Sequence, residues 1–449
     1  MNVSVAKFGG TSVANFEAMQ RCADIVLADN SIRVVVVSAS SGVTNLLVEL
    51  ANGQQSSAQR LDALQAINTI QQQILTALGT PESVAASLSQ NLELMQQLAD
   101  AIALRPSIET SERILSLGEA CSSLLFAEVL RQKGATAQQF DAKSVMRTDS
   151  LFGRANIQLE QVKQLVEAKM QPLLSDSIVV TQGFVGADEH GNTTTLGRGG
   201  SDYSAAIFAE ALKADNLQIW TDVAGIYTTD PRMAANARVI REITFNEAAE
   251  MATFGAKVLH PATIVPAVRQ GIDVFVGSSR DPSAGGTWIR DRAQADPTYR
   301  ALAVRKNQTL LTCHSLNMLH AQGFLAELFA VLAKHHISVD LITTSEVSVA
   351  LTLDTTGSSS SGDNLVQPQL LADLEPLCDV TVEQDLALIG IIGNRIASTA
   401  GVCAKVFGLI KDQNVRLICQ GASPHNVCFL VEQQQLETVV QSLHHALFE

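Results

Sequence analysis

Arg33-Val34-Val35-Val36-Val37 is one arginine followed by an unbroken valine run. A strand with one wet face alternates apolar and polar side chains. A run that is apolar at every position suits a strand covered on both faces, as in a parallel sheet packed between helices. Working outward, the runs at 3–8, 135–141, 178–182, 217–222 and 272–277 also read as strands, and helical patterns separate them through about residue 290. Strands alternating with helices predict an α/β fold with a mostly parallel central sheet between helices. Residues 59–104 differ. Leu61, Leu64, Ile67, Ile70, Ile74 and Leu78 recur at helical spacing, and after Gly79-Thr80-Pro81 so do Val84, Leu88, Leu92, Met95 and Ile102. This predicts a helical hairpin set into the α/β region, its apolar stripes being core.

Around 280–300 the pattern dissolves into Asp281-Pro282-Ser283-Ala284-Gly285-Gly286 and then Asp296-Pro297, which predicts a linker. The expected division is a first domain at 1–292 and a second region at 293–449. The second region contains an internal repeat. AELFAVLAKHHISVDLITTSEVSVALTLD at 326–354 aligns without gaps to AKVFGLIKDQNVRLICQGASPHNVCFLVE at 404–432. Each copy reads as an amphipathic helix, a strand, a turn and a second strand, so two copies of one small α+β unit are expected. Gly357-Ser358-Ser359-Ser360-Ser361-Gly362 reads as a flexible loop without an assigned function.

With 449 residues there is room for two to four domains, and 46% hydrophobic against 17% charged residues is too apolar for a disordered chain. A net charge of -14 speaks against nucleic acid or an anionic membrane as partner. Seven scattered cysteines, odd in number and without a CxxC pair, read as reduced thiols. No apolar run reaches the ~18 residues of a membrane span, and the first residues read as a strand and not as a leader. The expected location is the cytoplasm.

Chemistry is concentrated in four stretches. Lys7-Phe8-Gly9-Gly10-Thr11-Ser12 follows the first strand. Ligands of open α/β sheets sit at such strand ends, two glycines let the backbone approach an anion, and Lys7 would set a cation beside a phosphate. GxxxxGK[ST] occurs nowhere, so this is not a Walker A loop. In Thr193-Thr194-Thr195-Leu196-Gly197-Arg198-Gly199-Gly200-Ser201-Asp202, glycines and hydroxyls crowd around Arg198, suited to clamping a carboxylate, and Asp202, suited to ordering lysines or holding Mg2+. Thr221-Asp222-Val223-Ala224-Gly225-Ile226-Tyr227-Thr228-Thr229-Asp230-Pro231-Arg232 supplies an aromatic and an arginine suited to adenine and phosphates. Phe254-Gly255-Ala256-Lys257-Val258-Leu259-His260-Pro261 supplies a second lysine. Glu119 lies in a helical stretch, where a glutamate is by base rate a solvated surface residue. His335-His336 and His444-His445 have no metal-ligand spacing and read as exposed helix positions. No Gly-x-Ser-x-Gly elbow occurs, so triad hydrolysis has no support.

KFGGTSV at 7–13, TTTLGRGGSDYSAA at 193–206, WTDVAGIYTTDPR at 220–232 and FGAKVLHPAT at 254–263 resemble, in order, the signatures of aspartokinases of the amino-acid kinase superfamily. The resemblance covers essentially the whole chain, because that family's regulatory part is a pair of ACT modules, similar to the repeat. The length suits a monofunctional member. The resemblance implies phosphoryl transfer from ATP, with Mg2+, to the side-chain carboxylate of L-aspartate, the entry step to lysine, threonine and methionine. It implies that Lys7 and Lys257 neutralise the phosphates and that Asp202 orients those cations. Thr44, Glu119 and Arg198 would bind aspartate, Glu119 at its amino group and Arg198 at its carboxylate. Phe8, Gly9, Gly10, Thr221, Asp222, Tyr227, Arg232 and Val258 would line the nucleotide site. A carboxylate nucleophile is already ionised at pH 7 and needs no general base. The obstacle is two anions approaching, so catalysis should rest on cations and positioning.

The repeat also bears on regulation. Copy one has Ser338-Val339-Asp340 and Ser345-Glu346, where copy two has Arg416-Leu417-Ile418 and Ser423-Pro424. Two carboxylates in copy one favour a ligand with an extra positive charge. L-lysine has a second cation; threonine and methionine do not. Feedback inhibition by lysine at copy one is therefore expected, with copy two serving dimer contacts. Met318, Ala321, Phe324 and Leu325 fall in a stretch similar to the ligand-contacting segment of lysine-sensitive members. ACT modules of the family pair side by side, which implies a homodimer or a dimer of dimers. Rival readings are a superfamily kinase for glutamate, acetylglutamate or UMP, threonine-sensitive regulation of the same chemistry, and a non-catalytic sensor. The ACT pair and FGAKVLHP speak against the first, and the presence of Lys7, Arg198 and Asp202 against the last.

Overall fold

The valine run lies inside an eight-stranded sheet. The computed structural model describes residues 2–197, 199–255, 261–319, 322–354 and 365–449. In chain order the first strands are β1 (Ser4–Phe8), β2 (Ile32–Val37), β3 (Ala137–Phe140) and β4 (Ile178–Gln182). A separate antiparallel ribbon, β5 (Val185–Ala187) and β6 (Thr193–Thr195), follows. The sheet is completed by β7 (Asn216–Thr221), β8 (Glu242–Thr244), β9 (Asp273–Ser278) and β10 (Gly286–Arg290). Its order is β3-β4-β2-β1-β7-β9-β10-β8, and every pairing is parallel except β9 with β10. Val34, Val35, Val36 and Val37 are all fully buried, as a strand covered on both faces requires.

The helices of this unit are α1 (Phe16–Ala28), α2 (Val43–Ala51), α3 (Ser57–Ala77), α4 (Glu82–Leu104), α5 (Ile108–Gln132), α6 (Leu159–Lys169) and α7 (Gly200–Leu212). Next along the chain comes α8 (Phe245–Thr253), which folds with the other unit, and then α9 (Pro261–Arg269), which folds with this one. The hairpin read from the sequence is α3 and α4. A reciprocal Ser56–Gln59 capping box starts α3, and Thr80, at φ 55°, helps reverse the chain before α4. Ile67, Ile74, Leu88, Met95 and Ile102 are core residues, as the periodicity predicts.

The expected linker at 280–300 needs correction. Residues 286–290 form β10. Pro282–Ala284 make one 3-10 turn that carries the chain from β9 back alongside it. Thr287 and Ile289 are fully buried, and the Thr287 hydroxyl donates to the Ile240 carbonyl at 2.7 Å and accepts from the Ile226 N–H at 2.8 Å. The glycines and proline mark the turn before the strand, and they masked a strand only five residues long.

The chain folds as two compact units. The first comprises the described residues of 2–226, 239–245 and 261–294, and the second those of 227–238, 246–255 and 295–449. The second unit has a six-stranded antiparallel sheet built on β11 (Ala301–His314), with β12 (Ser338–Thr344), β13 (Ser348–Asp354), β14 (Asp379–Ile392), β15 (Leu417–Gln420) and β16 (Asn426–Glu432). Its order is β12-β13-β11-β14-β16-β15. Its helices are α10 (Phe324–Lys334), α11 (Pro368–Leu374), α12 (Val402–Leu409) and α13 (Leu436–Phe448). Copy one of the repeat is α10, β12 and β13; copy two is α12, β15 and β16. The long strands β11 and β14 pair with each other along their length and carry one copy on either side. At the end of the 246–255 segment, Gly255 has φ +100°, and a Cβ there would stand 2.5 Å from the Val304 carbonyl oxygen of β11, so glycine is required on both counts.

Two surface expectations are also corrected. Glu119 is buried on α5. His444 is buried too, while its neighbour His445 is exposed. Adjacent helix positions face directions about 100° apart, so one member of a pair can be core while the other is solvated. All seven cysteines are free thiols, and five of them are buried. Among the described residues no helix is long and apolar enough to cross a membrane. The loop at 357–362 lies outside the described residues.

Candidate active site

Parallel pairing sets the C-terminal ends of β4, β2, β1, β7 and β9 side by side. Phe8 is level with Val37 and Trp220, Val37 with Gln182, and Thr221 with Ser278. At this edge Gly9 donates its N–H to the Trp220 carbonyl at 3.1 Å, and the Gly10 carbonyl accepts from the Ser41 N–H at 3.0 Å. A Cβ on Gly10 would lie 2.8 Å from the Ala39 carbonyl oxygen, so this turn admits no side chain. The loops after β1 and β2 are thus laced together as one floor.

Lys7 is the penultimate residue of β1, and its Nζ lies 2.6 Å from Asp202 Oδ1. Asp202 is the third residue of α7, where an acid is favoured by the helix dipole. Both side chains are largely shielded from water, which strengthens the pair and fixes the ammonium in place. Gly199 starts α7 at φ +75°, and a Cβ there would meet the Thr263 methyl at 2.9 Å.

Glu119 completes the cluster. Helix α5 reaches the floor through Gly118, where a Cβ would come within 2.7 Å of Ala39 Cβ and 2.8 Å of Leu47 Cδ1. Burial raises the Glu119 carboxyl to about 7, opposed by the Ala39 N–H and by the positive charge of Lys7. A buried carboxyl that titrates near neutrality is characteristic of functional positions. Two turns earlier on the same helix, Glu112 accepts hydrogen bonds from the backbone N–H of Thr195 and from its hydroxyl, the latter at 2.9 Å. Burial raises its pKa against those bonds. Glu112 anchors β6 three residues before Arg198 and was missed in the sequence. Its spacing of seven from Glu119, which places both acids on one face of α5, was the available signal.

The remaining residues read from the sequence fall as follows. Thr44 is exposed in the first turn of α2, behind Gly42 at φ +88°. The Phe8 ring is fully buried and stacks on Trp220 at 6.5 Å between centroids, so its side chain is core and only its backbone belongs to the floor. Thr221 ends β7; its carbonyl accepts from the Ser279 N–H at 2.8 Å, and exposed Asp222 follows. Tyr227 and Arg232 fold with the second unit. There Arg232 is exposed and grips Asp230 by two nitrogens, at 3.0 and 2.6 Å. Arg198, Lys257 and Val258 lie outside the described residues, as does Ala321 of the sensor stretch.

In the sensor unit Met318 ends a 3-10 turn, and Phe324 and Leu325 open α10 behind Gly323 at φ +95°. Ser338, Val339 and Asp340 start β12; Ser345 and Glu346 are exposed in the turn to β13. The Ser345 hydroxyl accepts from the Ser348 N–H at 3.1 Å. Asp340 is ion-paired with Arg305 of β11 at 2.5 Å, and a second Arg305 nitrogen donates to the Thr253 carbonyl. In copy two the residue equivalent to Ser345, Ser423, instead donates to Glu250 of α8 at 2.5 Å.

The model of the amino acid kinase family matches residues 2–278, and an ACT domain model matches 389–447. These matches give the class, an amino acid kinase fold joined to an ACT region. The lysine-sensitive aspartokinase 3 of Escherichia coli is 56% identical over 447 residues, covering 100% of this chain and 99% of that protein. The chloroplastic aspartokinase 3 of Arabidopsis thaliana is 36% identical and is covered to 81% of its length by 99% of this chain. A crystal structure of E. coli aspartokinase III with aspartate and ADP, in the R-state, aligns at a TM-score of 0.87 over 100% of both chains. With these relatives spanning both units, the chain belongs to the aspartokinase family.

Proposed function

We propose that this chain is an aspartate kinase that transfers phosphate from ATP to the side-chain carboxylate of L-aspartate, giving 4-phospho-L-aspartate and ADP, and that L-lysine inhibits it. The observation that carries the catalytic reading is the Lys7–Asp202 pair on a glycine floor with buried Glu119 beside it. One fixed cation and one acid of near-neutral pKa suit a substrate with both an anionic and a cationic group. The E. coli relative has been crystallised with aspartate and ADP and, in the T-state, with lysine and aspartate.

In this reading Lys7 and Lys257 offset the charge of the transferring phosphate as the aspartate carboxylate approaches it. Asp202 holds Lys7 in place. Glu119 accepts from the amino group of aspartate, Arg198 clamps its carboxylate, and Thr44 lines the same pocket. The backbone of Phe8, Gly9 and Gly10, with Thr221, Asp222, Tyr227, Arg232 and Val258, receives the nucleotide. Among the described residues no three His, Cys, Asp or Glu side chains converge as a resident metal site. In this reading Mg2+ arrives on the nucleotide, an ion that keeps waters and phosphate oxygens and takes one or two protein carboxylates, here Asp202. Bound Mg2+ would neutralise phosphate charge. The reading includes a catalytic region at 1–292, a regulatory region of two ACT modules at 293–449, and a cytoplasmic homodimer, or dimer of dimers, formed through those modules.

The direct test is aspartate-dependent ADP release by the purified protein with lysine, threonine or methionine added. Suppression by lysine alone supports both halves of the reading; activity on glutamate, acetylglutamate or UMP in place of aspartate would overturn the first. Asp340→Ala is expected to raise the lysine concentration for half-inhibition more than tenfold, with both KM values within twofold, because a charged hydrogen bond to a ligand ammonium contributes about 1.5–3 kcal/mol. An unshifted inhibition curve would remove Asp340 from the lysine site.

A further inference from the structure

The segment Tyr227–Arg238 folds with the second unit, and the element that grips it there is α13, the last helix after copy two. Thr228 is the centre of the grip. Its N–H donates to the Arg238 carbonyl at 2.9 Å, and its carbonyl accepts from the Leu302 N–H at 2.7 Å. Its hydroxyl accepts from the Arg238 N–H at 3.1 Å and lies 2.9 Å from Nε2 of His444. A hydroxyl has one proton to donate. The Arg238 N–H takes only one of this oxygen's two lone pairs, so the tautomer is set from the other side of the ring: Glu449 Oε1, 3.8 Å from Nδ1, favours the proton there and leaves Nε2 to accept from the hydroxyl.

The surroundings agree with a neutral ring. His444 is 2% exposed, and its imidazole stacks on Phe448 at 5.1 Å. Burial holds its pKa below the ordinary histidine value, with the charge of Arg238 acting the same way and that of Glu449 opposing. Three more bonds join the same helix and its C-cap Glu449 to the same segment. Gln441 donates to the Met233 carbonyl at 3.1 Å, Arg238 donates to the Phe448 carbonyl at 2.9 Å, and Asn236 donates to Glu449 at 2.7 Å. Gln441, His444 and Phe448 stand at helical spacing, so one face of α13 carries the contact.

We propose that His444 is a positioning residue for the nucleotide: through the Thr228 hydroxyl it fixes the segment that carries Tyr227 and Arg232, so that the last turn of the second module sets the affinity for ATP. This rests on the reading that Tyr227 and Arg232 line the nucleotide site. It gives the helix that follows copy two a task in nucleotide binding, beside the dimer contacts expected of copy two from the sequence.

The test is steady-state kinetics on the full-length protein. His444→Ala and Thr228→Val should each raise KM for ATP about tenfold, with kcat and KM for aspartate within twofold. The double variant should be no worse than Thr228→Val alone, because that change already removes the bond to His444 together with the acceptor of the Arg238 N–H. His444→Gln, which restores an acceptor, should recover most of the loss. Thr228→Val removes one hydroxyl and leaves the helix intact, so it reports even if His444→Ala does not fold. An unchanged KM for ATP in Thr228→Val, or equal losses in kcat and both KM values, would overturn the proposal. Tyr227→Ala separates the two layers. If it raises KM for ATP and Thr228→Val does not, the proposal alone fails; if Tyr227→Ala has no effect, the nucleotide reading falls and the proposal with it.

Discussion

Lys7→Met is expected to lower kcat about a hundredfold to a thousandfold at saturating aspartate and ATP. The reaction brings a carboxylate against a phosphoryl group that is itself anionic. A fixed cation stabilises the charge that gathers between them, and removing one preorganised donor of this kind costs about 10²–10³ in rate. The Lys7 side chain is 11% exposed, so water screens its charge little. The change also strips Asp202 of its ammonium partner at 2.6 Å, leaving a largely shielded acid where negative charge is least wanted. Methionine keeps the length and volume of the stem, so the fold should persist, and circular dichroism checks that. Lys7→Arg keeps the charge but spreads it over a planar fork, and should recover only part of the rate. A Lys7→Met enzyme within tenfold of the parent would show that Lys7 is structural and that the phosphate is neutralised elsewhere.

How much of this was legible depended on the kind of signal. The apolar runs at 34–37 and 178–180 and the repeat at 326–354 and 404–432 specify their elements locally, and those elements are present as read. The Lys7–Asp202 pair spans nearly two hundred residues, yet both ends sat in glycine-rich stretches at element ends, so each was visible separately. Glu119 and His444 were not visible as buried groups, because burial is a property of what packs against a residue. Glu119 is enclosed because Gly118 lets α5 touch Ala39 and Leu47, partners that lie 79 and 71 residues earlier in the chain. The same holds for the segments 227–238 and 246–255. They lie within the sequence of the first region but fold with the second, on contacts such as Thr228 with His444 and Glu247 with Arg300 that nothing local announces.

Glu119→Gln should weaken aspartate binding and stabilise the protein at once. If the carboxylate holds the amino group of aspartate, its loss should raise KM for aspartate about tenfold to a hundredfold at pH 8, the range for a hydrogen bond between charged groups. The pH dependence gives the sharper check. The buried carboxyl is raised to about 7 from 4.5, so below pH 7 the free enzyme carries it protonated. KM of the parent should then climb up to tenfold per pH unit as pH falls from 7 to 6, while the glutamine variant stays flat. Stability moves the opposite way. Between pH 4.5 and 7 the folded state binds a proton that the unfolded state has released, so the group's contribution falls as pH rises through that window and stays unfavourable above it. Replacing it with a neutral isostere should return on the order of 2–3 kcal/mol at pH 8 and much less at pH 5, read from urea unfolding. A variant that gains stability at pH 8 while losing aspartate affinity would show that the chain tolerates a buried charge for the sake of its substrate. One that loses stability at pH 8 would mean that the carboxylate is satisfied by the Ala39 N–H and Lys7 even without substrate.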